Sequence, residues 1–177
     1  VAESYELLKQ GLYLKVAQQQ TCGDLRPLFE RILVPVDGSE HSKHALENAI
    51  QIAKQCDGKI TLVHVYSVLR AGVVPMAMAE PVIMPPDMVT KLAEAVRKTG
   101  VTILEDAEKK VKAEGVQSKT LLREGHVVEE ILKAAKEEDV DLIVIGARGL
   151  STIKEIFLGS VSHGVSLHAP CPVLLMR

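Results

Sequence analysis

Residues 31–65, RILVPVDGSEHSKHALENAIQIAKQCDGKITLVHV, change hydrophobic period twice. RILVPV (31–36) is a short β-branched run, and the turn-prone DGSE follows it. The next segment puts Ala45, Ala49, Ile52 and Cys56 on one helical face, with Lys43, Glu47 and Lys54 on the other. Asp57-Gly58 stops that helix, and KITLVHV (59–65) is a second, almost wholly apolar strand. Strands that are apolar throughout need cover on both faces, which points to a parallel sheet rather than a hairpin.

The alternation continues outward from this unit. Leu92, Val96, Ile103, Ala107 and Val111 share a helical stripe that ends at Gly115, and TLLRE (120–124) is a third strand. Val128, Ile131, Leu132 and Ala135 mark a short helix before DLIVIGA (141–147), the fourth strand. A last helix begins near Ser160, and CPVLLMR (171–177) closes the series as a fifth strand. Right-handed crossovers then leave an α/β fold, a doubly wound five-stranded parallel sheet with helices on both faces, as the expected architecture.

Two segments fall outside this scheme, so the expected organisation is an N-terminal extension (1–27), a domain (28–177) and an insertion within it (67–87). The extension contains ESYELLKQGLYLKVAQQQ, a weakly amphipathic helical pattern interrupted by Gly11. Docking on the domain, exchange with a partner subunit and a segment partly foreign to the domain are all open. The insertion, SVLRAGVVPMAMAEPVIMPPD, leaves the second strand at its carboxyl end. Its length and apolar character suit a flap over a base or a subunit contact, against a mobile insertion as the plain alternative.

Composition limits the partners. The 177 residues are 47% hydrophobic and 25% charged, and the net charge of −2 is dispersed along the chain. That balance supplies no basic footprint for nucleic acid. No apolar run reaches the roughly 18 residues that span a bilayer, and the opening residues lack a signal-peptide plan. A cytoplasmic protein with neither nucleic-acid nor membrane partners is expected. Aromatics are only 3%, so the core must rest on Val, Ile, Leu and Ala. Cys22, Cys56 and Cys171 are an odd, scattered set without a C-x-x-C pair, against a disulfide framework or structural zinc. Cys171 reads as a small buried thiol. His41 and His44 lack acidic or thiol companions at ligand spacing.

In open α/β sheets, ligands bind beyond the carboxyl ends of the strands. Those ends carry Pro35, Val36, Asp37, Gly38 and Ser39; then His64, Val65 and Tyr66; then Gly146, Arg148 and Gly149. Gly146 and Gly149 let backbone turn sharply and approach a ligand closely. Gly159, Ser160, Val161 and Ser162 place free N–H groups and hydroxyls at a helix start, so a phosphate chain could lie between the two pieces. Asp37 would repel phosphate directly, but it suits a bridging divalent cation or a ribose hydroxyl. Ser39 reads as a helix cap rather than a nucleophile. A Walker A loop, a dinucleotide fingerprint after the first strand and a nucleophile elbow are all absent, and no catalytic residue emerges.

RILVPVDGSEHSKHALENAIQIA, ITLVHV and DLIVIGARGLSTIKEIFLGSVSHGVSLHAPCPVLLMR together resemble the universal stress protein family. Gly146, Gly149 and Gly159-Ser160 match G-x2-G-x9-G-[ST], the pattern of its ATP-binding members. The resemblance spans about residues 28–177 and implies an adenine nucleotide α-hydrolase-like, Rossmann-like sandwich. It implies that Pro35, Val36 and Asp37 meet adenine and ribose or metal, and that Val65 meets adenine. It further implies that Gly146, Arg148 and Gly149 form the ribose and phosphate loop, and that Gly159, Ser160, Val161 and Ser162 hold phosphate. The implied cofactor is ATP or ADP with Mg2+ or Mn2+, with Asp37 as the metal residue. The implied partner is a second copy of the chain, paired through 172–176. A nucleotide-dependent dimeric switch in stress response or signalling is the expected role, with weak ATPase activity at most and no dedicated enzyme. The alternatives are a nucleotide-free dimeric scaffold and an enzyme acting at the α-phosphate. The S-G-G-x-D-S and H-x-G-H signatures of such enzymes are absent.

Overall fold

A computed structural model describes residues 13–14, 29–67, 86–150 and 158–177. Among the described residues, six strands form one sheet: β1 (Tyr13–Leu14), β2 (Arg31–Pro35), β3 (Lys59–Tyr66), β4 (Ser118–Glu124), β5 (Leu142–Gly146) and β6 (Val173–Met176). Their spatial order is β1-β6-β5-β2-β3-β4. β2 through β6 run parallel, as the continuous apolar strands predict. β1 is an addition to that expectation: two residues of the N-terminal extension pair antiparallel with β6. The helical reading of the extension therefore fails at Tyr13–Leu14; its other residues lie outside the described ones.

The helices are α1 (Glu40–Cys56), α2 (Pro86–Ala113), α3 (Val127–Glu137) and α4 (Ser160–His168). Ser39 caps α1 as its sequence position suggests: its Oγ accepts the Ser42 N–H at 3.2 Å. Ser42 Oγ returns a bond to the Ser39 carbonyl at 2.9 Å. Asp57, in the left-handed region at φ 53°, ends the helix and turns the chain into β3.

The sheet divides the interior into two apolar layers, because successive strand residues point to opposite faces. Ile32, Val34, Leu142 and Val144 pack under α1 and α2, against Ala49, Leu104 and Val111 among others. Leu33, Ile143, Ile145 and Val173 pack under α3 and α4, against Ile131, Ala135 and Val165. The strand register is pinned at the opposite end from the helix N-termini. There the Asp141 carboxylate accepts the N–H groups of Glu30 (3.2 Å) and Arg31 (3.1 Å), tying β2 to β5. Arg31 adds an ion pair to Asp139, and Asp139 and the other Arg31 contacts raise the already high pKa of that guanidinium.

From β2 the chain steps to β3 and β4 on one side, then returns to place β5 on the other. β2 and β5 are thus the pair at which strand order reverses, where connections diverge and leave a crevice. Of the insertion at 67–87, only Ser67, Pro86 and Asp87 are described, the last two already in the first turn of α2.

Candidate functional site

A cavity of about 550 Å³ opens at that reversal point, within the range of roughly 300–1,000 Å³ common to small-molecule sites. The chain leaves β2 through a turn at Asp37–Ser39. Gly38 adopts φ +82°, a conformation side chains rarely take, so the turn requires glycine. Asp37 Oδ1 accepts the Ser39 N–H at 2.9 Å, which fixes the carboxylate. Its Oδ2 faces Gly149: a Cβ there would stand 2.6 Å from it.

Gly146 has a different duty. A Cβ on it would lie 2.8 Å from the carbonyl carbon of His41, so glycine at the end of β5 admits the first turn of α1. The next residue, Ala147, joins the two halves of the glycine pattern. Its carbonyl accepts the Gly159 N–H at 2.8 Å and the Ser162 hydroxyl at 2.7 Å. Its own N–H donates to Met176 O. Ser162 is buried, and its hydroxyl also lies 2.9 Å from the Gly159 carbonyl. The side chain therefore staples α4 to the end of β5. The nine-residue gap closes to hydrogen-bonding distance; residues 151–157 within it lie outside the described ones.

α4 begins without a side-chain cap, because its N-cap is Gly159. The first helical bond runs from His163 N–H to the Gly159 carbonyl. The N–H groups of Ser160, Val161 and Ser162 have no intrahelical carbonyl to meet, and the positive end of the helix dipole lies with them at the cavity.

At the other side of the crevice, β3 outruns β2. Their register ends at Pro35↔Val63, yet β3 continues to Tyr66. Val63 O accepts the Val36 N–H at 2.9 Å, so odd-numbered residues of β3 turn their backbone groups toward β2. Tyr66 O accepts from Gly125 on the β4 side, in the same alternation. Val65 therefore presents an N–H and a C=O side by side, past the last residue of β2. His64 braces this end: its Nδ1 lies 2.7 Å from Val36 O. A carbonyl only accepts, so Nδ1 carries the proton. Helix α2 closes over the histidine at Gly100, where a Cβ would fall 2.6 Å from His64 Cδ2.

All the sequence-predicted site residues line this one cavity: Pro35, Val36, Asp37 and Val65 on the β2–β3 side, and Gly146, Arg148, Gly149 and Gly159–Ser162 on the β5–α4 side. Sequence reasoning missed the walls. Val96, Thr99 and Ile103 from α2 and Val127 and Ile131 from α3 also line it. Several belong to helical stripes that read as core, and nothing in a stripe marks where it runs past the sheet. Ser42, capping partner of Ser39, lines the floor. Among the described residues, no cluster of three or more His, Cys, Asp or Glu side chains could hold a metal alone. Asp37 is the one carboxylate that lines the cavity among the described residues, and a single carboxylate can share a Mg2+-type ion only where other oxygen ligands complete its shell.

Two ionisable groups lie apart from this chemistry. Cys171, at the opposite end of the sheet, is half-buried, and burial pushes its thiol up to about 11. Burial likewise raises the Tyr66 phenol, whose OH donates to Glu124 at 3.0 Å.

The chain matches the universal stress protein family over residues 28–177. It is 40% identical over 150 residues to universal stress protein YxiE of Bacillus subtilis (strain 168), covering 85% of this chain and all of that protein. Universal stress protein UspA from Lactobacillus plantarum superposes with a TM-score of 0.68 at 26% identity, over 84% of this chain and 98% of its own. A universal stress protein in complex with cAMP superposes with a TM-score of 0.58 at 26% identity, over 85% and 98% of the two chains. On the matched region and the shared fold, the chain belongs to the universal stress protein family.

Proposed function

We propose that the cavity binds an adenine nucleotide, ATP or ADP, together with Mg2+ or Mn2+. The observation that carries this reading is the pairing of two unlike ends in one crevice. Val65 offers a backbone donor beside an acceptor, the complement of the amino–imine edge of adenine. The uncapped start of α4 offers three N–H groups and a helix dipole to phosphate. Asp37 lies at Gly149 between these ends, where a carboxylate meets a ribose hydroxyl or a phosphate-bound cation. The cAMP-bound relative supports the nucleotide class. The chain then acts in the cytoplasm as a nucleotide-dependent switch in stress response or signalling, pairing with a second copy through residues 172–176. Hydrolysis is slow at most, because no Walker-type lysine stands among the described residues that line the cavity.

The test is direct. Purified protein is denatured and the supernatant assayed for released nucleotide, and the refolded protein is titrated with ATP, ADP, AMP and cAMP in a calorimeter with and without Mg2+. Adenine nucleotide in the supernatant, or saturable binding that guanine nucleotides do not reproduce, is expected. Neither release nor binding would sink the reading and leave a dimeric scaffold.

A further inference from the structure

Strand β3 gives its backbone groups alternately to its two neighbours. Lys59 N–H donates to Glu30 O at 2.8 Å and Val63 O accepts the Val36 N–H at 2.9 Å, so its odd-numbered residues face β2. In a parallel ladder, a residue that donates to one partner carbonyl accepts, at its own carbonyl, the N–H two places further along that partner strand. Val36 donates to Val63, so the next rung would run from the Val65 N–H to the Val36 carbonyl. Among the described residues that rung is not made. The register stops at Pro35↔Val63, and the Val36 carbonyl takes the His64 Nδ1–H at 2.7 Å instead. The side chain of one β3 residue thus occupies the acceptor that the backbone of the next would use.

The ring is held to this duty. Gly100 of α2 is buried and faces both His64 and Leu122: a Cβ there would stand 2.6 Å from His64 Cδ2 and 2.9 Å from Leu122 Cδ1. Val36 is buried as well, and a buried carbonyl without a donor is costly. We propose that His64 is a positioning residue that arrests the β2–β3 ladder one rung early and keeps the Val65 N–H free for a ligand in the crevice. Without the imidazole, the Val65 N–H closes on the Val36 carbonyl and the donor half of the Val65 edge is lost to the fold. The arrest follows from the hydrogen bonds alone. That an adenine ring uses the freed N–H rests on the proposed function.

The test compares the full chain, refolded free of nucleotide, with His64→Leu and His64→Asn. Leucine fills space without a donor, whereas the asparagine amide carries an N–H close to the place of Nδ1. Amide hydrogen exchange is read at Val65, with Val63, inside the ladder, as reference; ATP affinity is read by calorimetry. The Val65 amide should exchange fast in the parent and in His64→Asn, and at least about tenfold more slowly in His64→Leu, with Val63 slow in all three. ATP binding should weaken at least about tenfold in His64→Leu and stay within about threefold of the parent in His64→Asn. A Val65 amide as slow as Val63 in the parent, or unchanged by leucine, would overturn the arrest. Asparagine behaving like leucine would also overturn it, since ring packing rather than the donor would then be at work. Equal ATP affinity in all three chains would overturn the positioning role. If Val65 responds as expected and the parent binds no adenine nucleotide, the arrest stands and the nucleotide reading fails.

Discussion

Gly146 and Gly149 look interchangeable in sequence, and they answer to different neighbours. Gly146 abuts the backbone of α1, which cannot step aside. Gly146→Ala should therefore destabilise the fold by about 1–3 kcal/mol, read as a drop in Tm without ligand. Gly149 abuts only the carboxylate of Asp37, the far end of a side chain. On the proposed nucleotide reading, Gly149→Val should leave Tm within a few degrees of the parent but weaken ATP binding at least about tenfold in calorimetry, since its side chain would displace Asp37 in the cavity. Unchanged affinity would remove Gly149 from the site. Cys171 supplies a residue-scale pH prediction. Burial raises its pKa from 9.0 to about 11, so the folded state holds the thiol neutral where the unfolded chain ionises it. Its contribution to stability is whole below about pH 9 and falls as pH rises toward 11. Alkylation of Cys171 followed by mass spectrometry should accordingly stay slow at neutral pH and rise steeply only above pH 10.

Among the elements, the parallel sheet and its helices were legible because apolar runs at β2, β3, β5 and β6 alternate with helical stripes, while β4, at the sheet's edge and without a fully buried residue, was legible only from its place in that alternation. The cavity residues at strand ends were legible for a related reason: turn glycines and a helix start are local signals. Val96, Thr99 and Val127 were not, since lining a cavity depends on how far a helix extends past its sheet. β1 was also invisible, as two residues are too few to show a period of two and their partner lies some 160 positions away in register with Leu174 and Leu175. Long-range polar ties share that invisibility, and two of them make predictions. Asp141→Ala should cost about 1–3 kcal/mol in urea unfolding, because it strips the carboxylate from the N–H groups of Glu30 and Arg31. Ser162→Ala should remove the staple between α4 and Ala147, lowering stability by about 1 kcal/mol and weakening ATP binding through a misplaced helix start.

For the molecule as a whole, binding and folding are linked through the same crevice. ATP at about 100 times its dissociation constant should stabilise the chain by about 2.7 kcal/mol, measured as a shift in Tm, and Gly149→Val should cut that shift to about half or less. The sheet otherwise behaves as a partition. Its two apolar layers share backbone but few side-chain neighbours, so substitutions such as Ile50→Val above it and Ile131→Val below it should add in their effects on stability. The cavity is where that partition ends, for its walls come from α2 on one layer and from α3 and α4 on the other. A molecule seated there works like a rivet through two plates. Once it is in place, loosening either layer gives up contacts made to both, so opening on one side of the sheet is felt on the other.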